Sequence, residues 1–177
     1  MCSSDLKAKK SDVADLVVCI LDRPRHADLI AKVREAGARI MLIGDGDVSG
    51  VIATSTGDSG IDIYMGSGGA PEGVLAAGAL RCVGGQMQCR LVLDTEEKRQ
   101  RALGMGIKDP KRKYDINALA SGDVIVCATG VTTGALLRGV EFGKDIIETE
   151  TVIYRSATGT VRKIAAEHRE MGKFKMD

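Results

Sequence analysis

Residues 17–53 read VVCILDRPRHADLIAKVREAGARIMLIGDGDVSGVIA, and their pattern decides the fold class. The β-branched run at 17–21 predicts a strand. It ends in the polar DRPRH, after which Leu29, Ile30, Val33 and Ala36 recur at helical spacing as far as Gly37. RIMLI at 39–43 predicts a second strand, and Asp45-Gly46-Asp47 stands where a short helix through Val48, Val51 and Ile52 would begin. Two strand, loop, helix units in succession are the rhythm of an α/β domain.

The rhythm continues downstream. The turn-rich STGDSG at 55–60 precedes a third predicted strand, Ile61–Met65. GSGGAPEG then leads into an Ala- and Leu-rich helix from Gly73 to Val83, with Pro71 in its first turn and Gly84-Gly85 as its stop. Met87–Leu93 predicts a strand, Glu96–Leu103 a charged surface helix, KDPKRKY at 108–114 a loop, and Asp115 a cap on a short helix through Leu119. Val124–Ala128 predicts a buried strand running into ATGVTTG. Thr149–Arg155 and Thr160–Ile164 flank SATG as a hairpin. The expected architecture is a layered α/β domain with a mixed sheet and flanking helices, its antiparallel strands supplied by the terminal hairpin.

The 177 residues suffice for one ordinary domain with its own core. An apolar fraction of 44% against 28% charged residues is a globular balance that leaves little room for long disorder. The net charge of +1 gives no bulk attraction to nucleic acid or to an anionic membrane. Aromatic residues are 3% and Trp is absent, which argues against stacking platforms for single strands. No apolar run approaches the roughly 18 residues of a membrane span, and the N-terminus lacks the signal-peptide pattern, so a cytoplasmic location is expected. Cys2, Cys19, Cys82, Cys89 and Cys127 are odd in number and show no C-x-x-C spacing; they read as small apolar residues.

Four strand ends carry the loops with chemical potential: residues 22–26, 44–47, 66–72 and 128–134. Ligands of open α/β sheets bind beyond the carboxyl ends of the strands, so the four could converge on one crevice. Arg23 and Arg25 flank Pro24, which holds the preceding backbone extended. They are either solvated arginines at a helix start or paired forks for phosphate oxygens. Asp45 and Asp47, around Gly46, either cap a helix or accept hydrogen bonds from sugar hydroxyls. Gly66, Gly68 and Gly69 let the main chain approach a ligand closely, but the dinucleotide and P-loop orders are both missing. Glu72 complements the helix dipole or serves a hard cation. The Thr-rich loop at 128–134 offers hydroxyls, and His26 and His168 lack a triad context.

The ordered series LDRPRH (21–26), GARIMLIGDGDVSGVIA (37–53), GIDIYMGSGGAPEGVLAAGALRCVGGQMQCRLV (60–92), SGDVIVCATGVTTGALLRGV (121–140) and RSATGTVRKI (155–164) resembles class II fructose-1,6-bisphosphatase of the bacterial type, C-terminal half. The resemblance implies the layered α/β sandwich of the sugar and inositol phosphatases. It also implies removal of the 1-phosphate of fructose 1,6-bisphosphate, with sedoheptulose 1,7-bisphosphate as a second candidate substrate, and a homo-oligomeric full-length enzyme. It places substrate contacts on Arg23, Pro24, Arg25, Asp45, Gly46, Asp47 and Gly69. Glu72 becomes a ligand of Mn²⁺ or Mg²⁺, and no residue of this chain is assigned a catalytic role. Cys89 departs from the family's usual glycine, and Thr133 and Ala135 stand where polar or acidic residues are common.

The family's remaining metal-binding carboxylates lie upstream of the DRPRH-type segment. Since a hard divalent ion takes about six oxygen ligands, an incomplete site and little activity alone are expected. Residues 17–170 are expected to be the family half, 171–177 a tail and 1–16 a lead-in. Within that lead-in MCSSDL, which back-translates to the end of a common sequencing adapter, is expected to be an assembly artefact. The alternatives are a non-catalytic sugar-phosphate-binding module and a subunit completed by a separate N-terminal half. A half-domain is also expected to expose strand edges and apolar surface, and so to associate or dissolve poorly.

Overall fold

The computed structural model describes residues 12–170 and Gly172. The expected artefact at Met1–Leu6, and Cys2 with it, lies outside the described residues. The chain is mixed α/β, with strands β1 (Val17–Leu21), β2 (Arg39–Ile43) and β3 (Ile63–Tyr64) forming one parallel sheet in the order β2-β1-β3. Helix α1 (Ala27–Glu35) follows β1, α2 (Asp47–Ala53) follows β2, and α3 (Ala70–Val83) follows β3. All three strands therefore deliver their carboxyl ends to the same side of the molecule.

The expected single mixed sheet is instead divided. Among the described residues parallel pairing is confined to β1–β3, and the antiparallel strands form sheets of their own. Short β4 (Gln88–Cys89) pairs with β5 (Tyr114–Asp115). Between them lies α4 (Glu96–Gly104), and α5 (Ile116–Leu119) follows. The second large sheet is built on β8 (Ile147–Arg155), which pairs along its length with β9 (Thr160–His168) on one side and with β6 (Ile125–Thr129) and β7 (Glu141–Phe142) on the other. The hairpin is longer than its sequence signal: β8 pairs with β9 from Ile147 opposite His168 to Arg155 opposite Thr160, with Ile147, Val152 and Tyr154 buried.

Helix α3 joins the two sheets. Its stretch Ala76–Leu80 and Cys82 are buried, and the small side chains bring its backbone close to its neighbours. A Cβ on Gly78 would stand 3.4 Å from methyl groups of both Val124 and Val126. Ala79 and Cys82 share one core cluster with Ile52 of α2, Leu137, and Val152 and Tyr154 of β8. A separate cluster, Val18, Ile20, Ile30, Val33 and Ala38, packs α1 against β1. The helix ends at Gly84, whose φ of +77° few side chains tolerate.

Several expectations are corrected. β3 is shorter than Ile61–Met65, though Asp62 and Met65 still donate backbone N–H groups to Val17 and Cys19 at 3.0 Å. Met87–Leu93 gives only the two residues of β4, and the end of the KDPKRKY segment supplies β5 rather than loop alone. β6 is not buried on both faces: Ile125 is 67% exposed and Cys127 is exposed, so Cys127 is not a core residue as Cys19 and Cys82 are. One face of β6 lies against α3 and the other faces solvent, which the apolar run could not reveal. Ile125, Val131 and Phe142 are exposed.

Asp115 does cap α5, its Oδ1 accepting the Ala118 N–H at 2.8 Å. Asp115→Ala should lower stability by about 1 kcal/mol. The measure is a fall in the urea midpoint at constant slope; an unchanged midpoint would show that β5 alone holds the turn.

Candidate functional site

A cleft of about 720 Å³ opens at the carboxyl ends of β1, β2 and β3. Arg23, Arg25, Asp45, Asp47, Gly69 and Glu72, each singled out from the sequence, all line it. Pro24 and Gly46 shape the backbone between them. Of the four loops expected to converge, three do.

The fourth, at 128–134, belongs to the other sheet, and its polar groups are used internally. The Val140 N–H donates to the Val131 carbonyl at 3.1 Å, that of Gly134 to Leu137 at 3.0 Å, and that of Gly139 to Thr133 Oγ1 at 3.1 Å. Thr133 and Gly134 close this turn, while the Gly130 N–H donates to the Glu150 carbonyl and Thr129 Oγ1 pairs with Thr151 Oγ1 on β8.

Proline sets the first wall. Arg23 is extended at φ −142° and ψ 147°, the conformation that a following proline favours, and Pro24 opens the single 3₁₀ turn Pro24–His26 ahead of α1. The Arg23 side chain donates from Nη1 to the Asp22 carbonyl at 2.8 Å. Arg25 reaches across to the β3 loop, its Nε donating to the Ser67 carbonyl at 2.9 Å.

Left-handed backbone sets the second wall. Gly46 has φ +75° and ψ 47° and is itself the residue preceding α2, so neither aspartate caps that helix from the side chain, contrary to one of the two sequence readings. Asp45 Oδ1 accepts the Gly46 N–H and Asp47 Oδ1 the Val48 N–H, both at 2.8 Å. Asp47 Oδ2 turns toward Gly68, 3.3 Å from where a Cβ there would stand.

The third wall is the start of α3. Glu72 folds back to accept the Gly69 N–H at 2.7 Å through Oε2, satisfying one of the first-turn donors of the helix. The same oxygen lies 3.1 Å from the Cβ position of Gly68. Glu72 and Asp47 therefore face one another across Gly68, where a Cβ would stand in tight contact with both carboxylates. Below them Tyr64 packs under Gly50, and burial, with the Asp47 carboxylate next in weight, pushes its phenol up to about 12. It adds no negative charge near neutral pH.

Asp94 and Lys98, which sequence reading passed over, close the rim with a 2.7 Å ion pair. The hydrogen bond from Lys98 holds the Asp94 carboxyl below its ordinary range. Both groups are more than half exposed, so the pair adds little stability. Their i, i+4 spacing was visible, but only the fold places it beside Arg23. His26 precedes α1, and its ring is buried between the β1 and β3 loops.

The lining set carries Arg23, Arg25 and Lys98 against Asp45, Asp47, Glu72 and Asp94. Guanidinium forks suit phosphate oxygens, and carboxylates that only accept hydrogen bonds suit hydroxyls. A bound phosphate ester would add charge to a cleft already one negative charge in excess, which favours a cation as further partner. The residues present do not complete a metal site: among the described residues no group of three or more His, Cys, Asp or Glu is placed to hold one. Glu72 and Asp47 offer a fraction of the oxygen shell a hard divalent ion requires. No helix among the described residues is long and apolar enough to cross a membrane.

Fold and site thus define an α/β protein whose parallel strand ends set paired guanidiniums against carboxylates across one cleft. A family model described as bacterial fructose-1,6-bisphosphatase, glpX-encoded, matches residues 5–168, and the chain belongs to that family. It is 42% identical over 175 residues to a D-fructose 1,6-bisphosphatase class 2/sedoheptulose 1,7-bisphosphatase of Synechococcus sp. (strain JA-3-3Ab), covering 92% of this chain and 50% of that protein. To a protein of the same description from Synechococcus elongatus it is 41% identical over 169 residues, covering 88% of this chain and 49% of the relative. The chain spans about half the length of the curated relatives it matches.

Proposed function

We propose that this chain is the sugar-phosphate-gripping half of a class II fructose-1,6-bisphosphatase, folded as half of the layered sandwich of the sugar and inositol phosphatases. The observation that carries the reading is the convergence of Arg23, Arg25, Asp45, Asp47, Gly69 and Glu72 on one cleft at parallel strand ends. The guanidiniums grip a phosphoryl group, and the Asp45-Gly46-Asp47 turn accepts hydroxyls of the furanose. Fructose 1,6-bisphosphate and sedoheptulose 1,7-bisphosphate present the same furanose and 1-phosphate chemistry to these loops, so both are taken as substrates of the whole enzyme.

Glu72 would supply one ligand to a Mn²⁺ or Mg²⁺ ion whose shell the described residues do not complete. Such an ion offsets phosphate charge and lowers the pKa of a bound water. The chain by itself binds and orients, and hydrolysis requires the half of a class 2 relative that this chain does not match.

Phosphate release from fructose 1,6-bisphosphate, measured for the chain alone and for the chain co-expressed with that complementary half, with and without Mn²⁺, tests the proposal. Release is expected only from the combination with metal. Release by the chain alone, or none from an assembled combination, overturns it. In the combination, Glu72→Ala should raise the Mn²⁺ concentration giving half-maximal rate by about tenfold or more. Substrate affinity measured without metal should stay near wild type, and an unchanged metal requirement would remove Glu72 from the ligand set.

A further inference from the structure

His26 is 2% exposed and lies between two of the cleft loops without itself lining the cleft. Its Nδ1 is 2.7 Å from the Leu21 carbonyl oxygen, which can only accept, so Nδ1 carries the proton. Its Nε2 is 2.9 Å from the Ser67 backbone nitrogen, which can only donate, and farther, at 3.2 Å, from the Ser67 carbonyl oxygen and Oγ, so the short contact makes Nε2 the acceptor. The ring lies flush on the loop as well: a Cβ on Gly66 would stand 3.3 Å from His26 Cε1.

The neighbouring side chain completes the arrangement. Arg25 Nε donates to the Ser67 carbonyl at 2.9 Å, so both polar ends of the Ser67 backbone are held by consecutive residues of the β1 loop. Directly after Ser67 come Gly68 and Gly69, which have little stiffness of their own and which line the cleft beside Glu72. Fixing Ser67 fixes where these glycines enter the site. It also commits Arg25 Nε and leaves the Nη groups of that guanidinium for the cleft.

We infer that His26 is a positioning residue for substrate binding: it sets the Ser67-Gly68-Gly69 loop in register with Arg25, so that guanidinium and loop backbone grip one phosphoryl group together. The inference rests on the sugar-phosphate reading of the cleft. A buried histidine that serves stability alone would hold the two loops equally well through either nitrogen; a positioning residue needs the acceptor that faces Ser67.

Two variants separate these roles. In His26→Asn the amide nitrogen takes the place of Nδ1 and keeps the Leu21 bond while the Ser67 acceptor is lost. In His26→Gln the amide oxygen reaches the place of Nε2 and keeps Ser67 while the Leu21 bond is lost. Each forfeits one buried hydrogen bond, so their melting temperatures should fall alike.

Fructose 1,6-bisphosphate binding to the full chain, followed by calorimetry, should weaken about tenfold or more in His26→Asn and stay within about threefold of wild type in His26→Gln. Amide exchange of Ser67, followed by NMR without ligand, should accelerate in the Asn variant only. Equal affinities in the two variants would overturn the inference and leave the cleft reading standing. Absence of binding to the wild-type chain would overturn the cleft reading and the inference with it.

Discussion

Arg25→Ala should weaken fructose 1,6-bisphosphate binding about a hundredfold, and Arg25→Lys should recover only part of the loss. A charge-assisted hydrogen bond contributes about 1.5–3 kcal/mol, and a guanidinium fork makes two to one phosphate. Arg25 is already committed through Nε to the Ser67 carbonyl at 2.9 Å, which orients the rest of its plane. A lysine keeps the charge but is a point donor, and cannot hold the loop and the ligand in fixed relation. Calorimetric titration at fixed ionic strength is the measure, since screening alone would shift both affinities. Arg162→Ala, on an exposed position of β9, is the control and should leave binding unchanged. If Arg25→Lys matches wild type, only charge matters and the bridge to Ser67 has no part in binding.

Gly130→Ala should cost about 3 kcal/mol of stability while leaving the ligand affinity of the folded chain unchanged. A Cβ there would fall inside the van der Waals envelope of the Arg138 carbonyl oxygen, 2.8 Å from its carbon and 3.3 Å from Leu137 Cβ. The obstacle is backbone, which cannot swing aside as a flexible side chain can. Moving residue 138 would strain the bond from its N–H to Glu150 Oε2, 2.6 Å, and shift buried Leu137 from the core it shares with Ile52 and Val152. Overpacking and a broken charge-assisted bond together reach that magnitude. The measure is the denaturant midpoint at constant slope. A variant within about 0.5 kcal/mol of wild type would show that the loop relaxes freely.

Much of this organisation was legible in residues 17–83. The β-branched runs, the helical spacing at Leu29, Ile30 and Val33 and the proline at position 71 are local signals, and the elements they announce are present. The alternation of strand and helix implied parallel strands, and parallel strands imply that their loops gather at one end. That gathering, together with the family resemblance, is why Arg23, Pro24, Arg25, Asp45, Gly46, Asp47, Gly69 and Glu72 could be named from the sequence. What failed to show was set by partners distant in sequence. Met87–Leu93 has the composition of a strand, but only Gln88 and Cys89 meet a pairing partner. Ile125 and Cys127 carry no mark telling which face of β6 is covered. The Thr-rich loop looks like a ligand loop because a turn that bonds to itself uses the same small polar residues. The place of His26 could not be read locally because its contact with Ser67 spans 41 positions.

Helix α3 gives the cleft a mechanical character. Its first turn carries Glu72, its buried middle is wedged between α2 and the β6–β8 surface, and the small residues there leave little slack to absorb displacement. A rod gripped through its middle carries a displacement on to its exposed first turn. A shift of the β6–β8 surface would be felt by the backbone of the turn that carries Glu72. The alanines and glycine at 76–79 thus tie the tolerances of the cleft to those of a sheet on the far side of the helix.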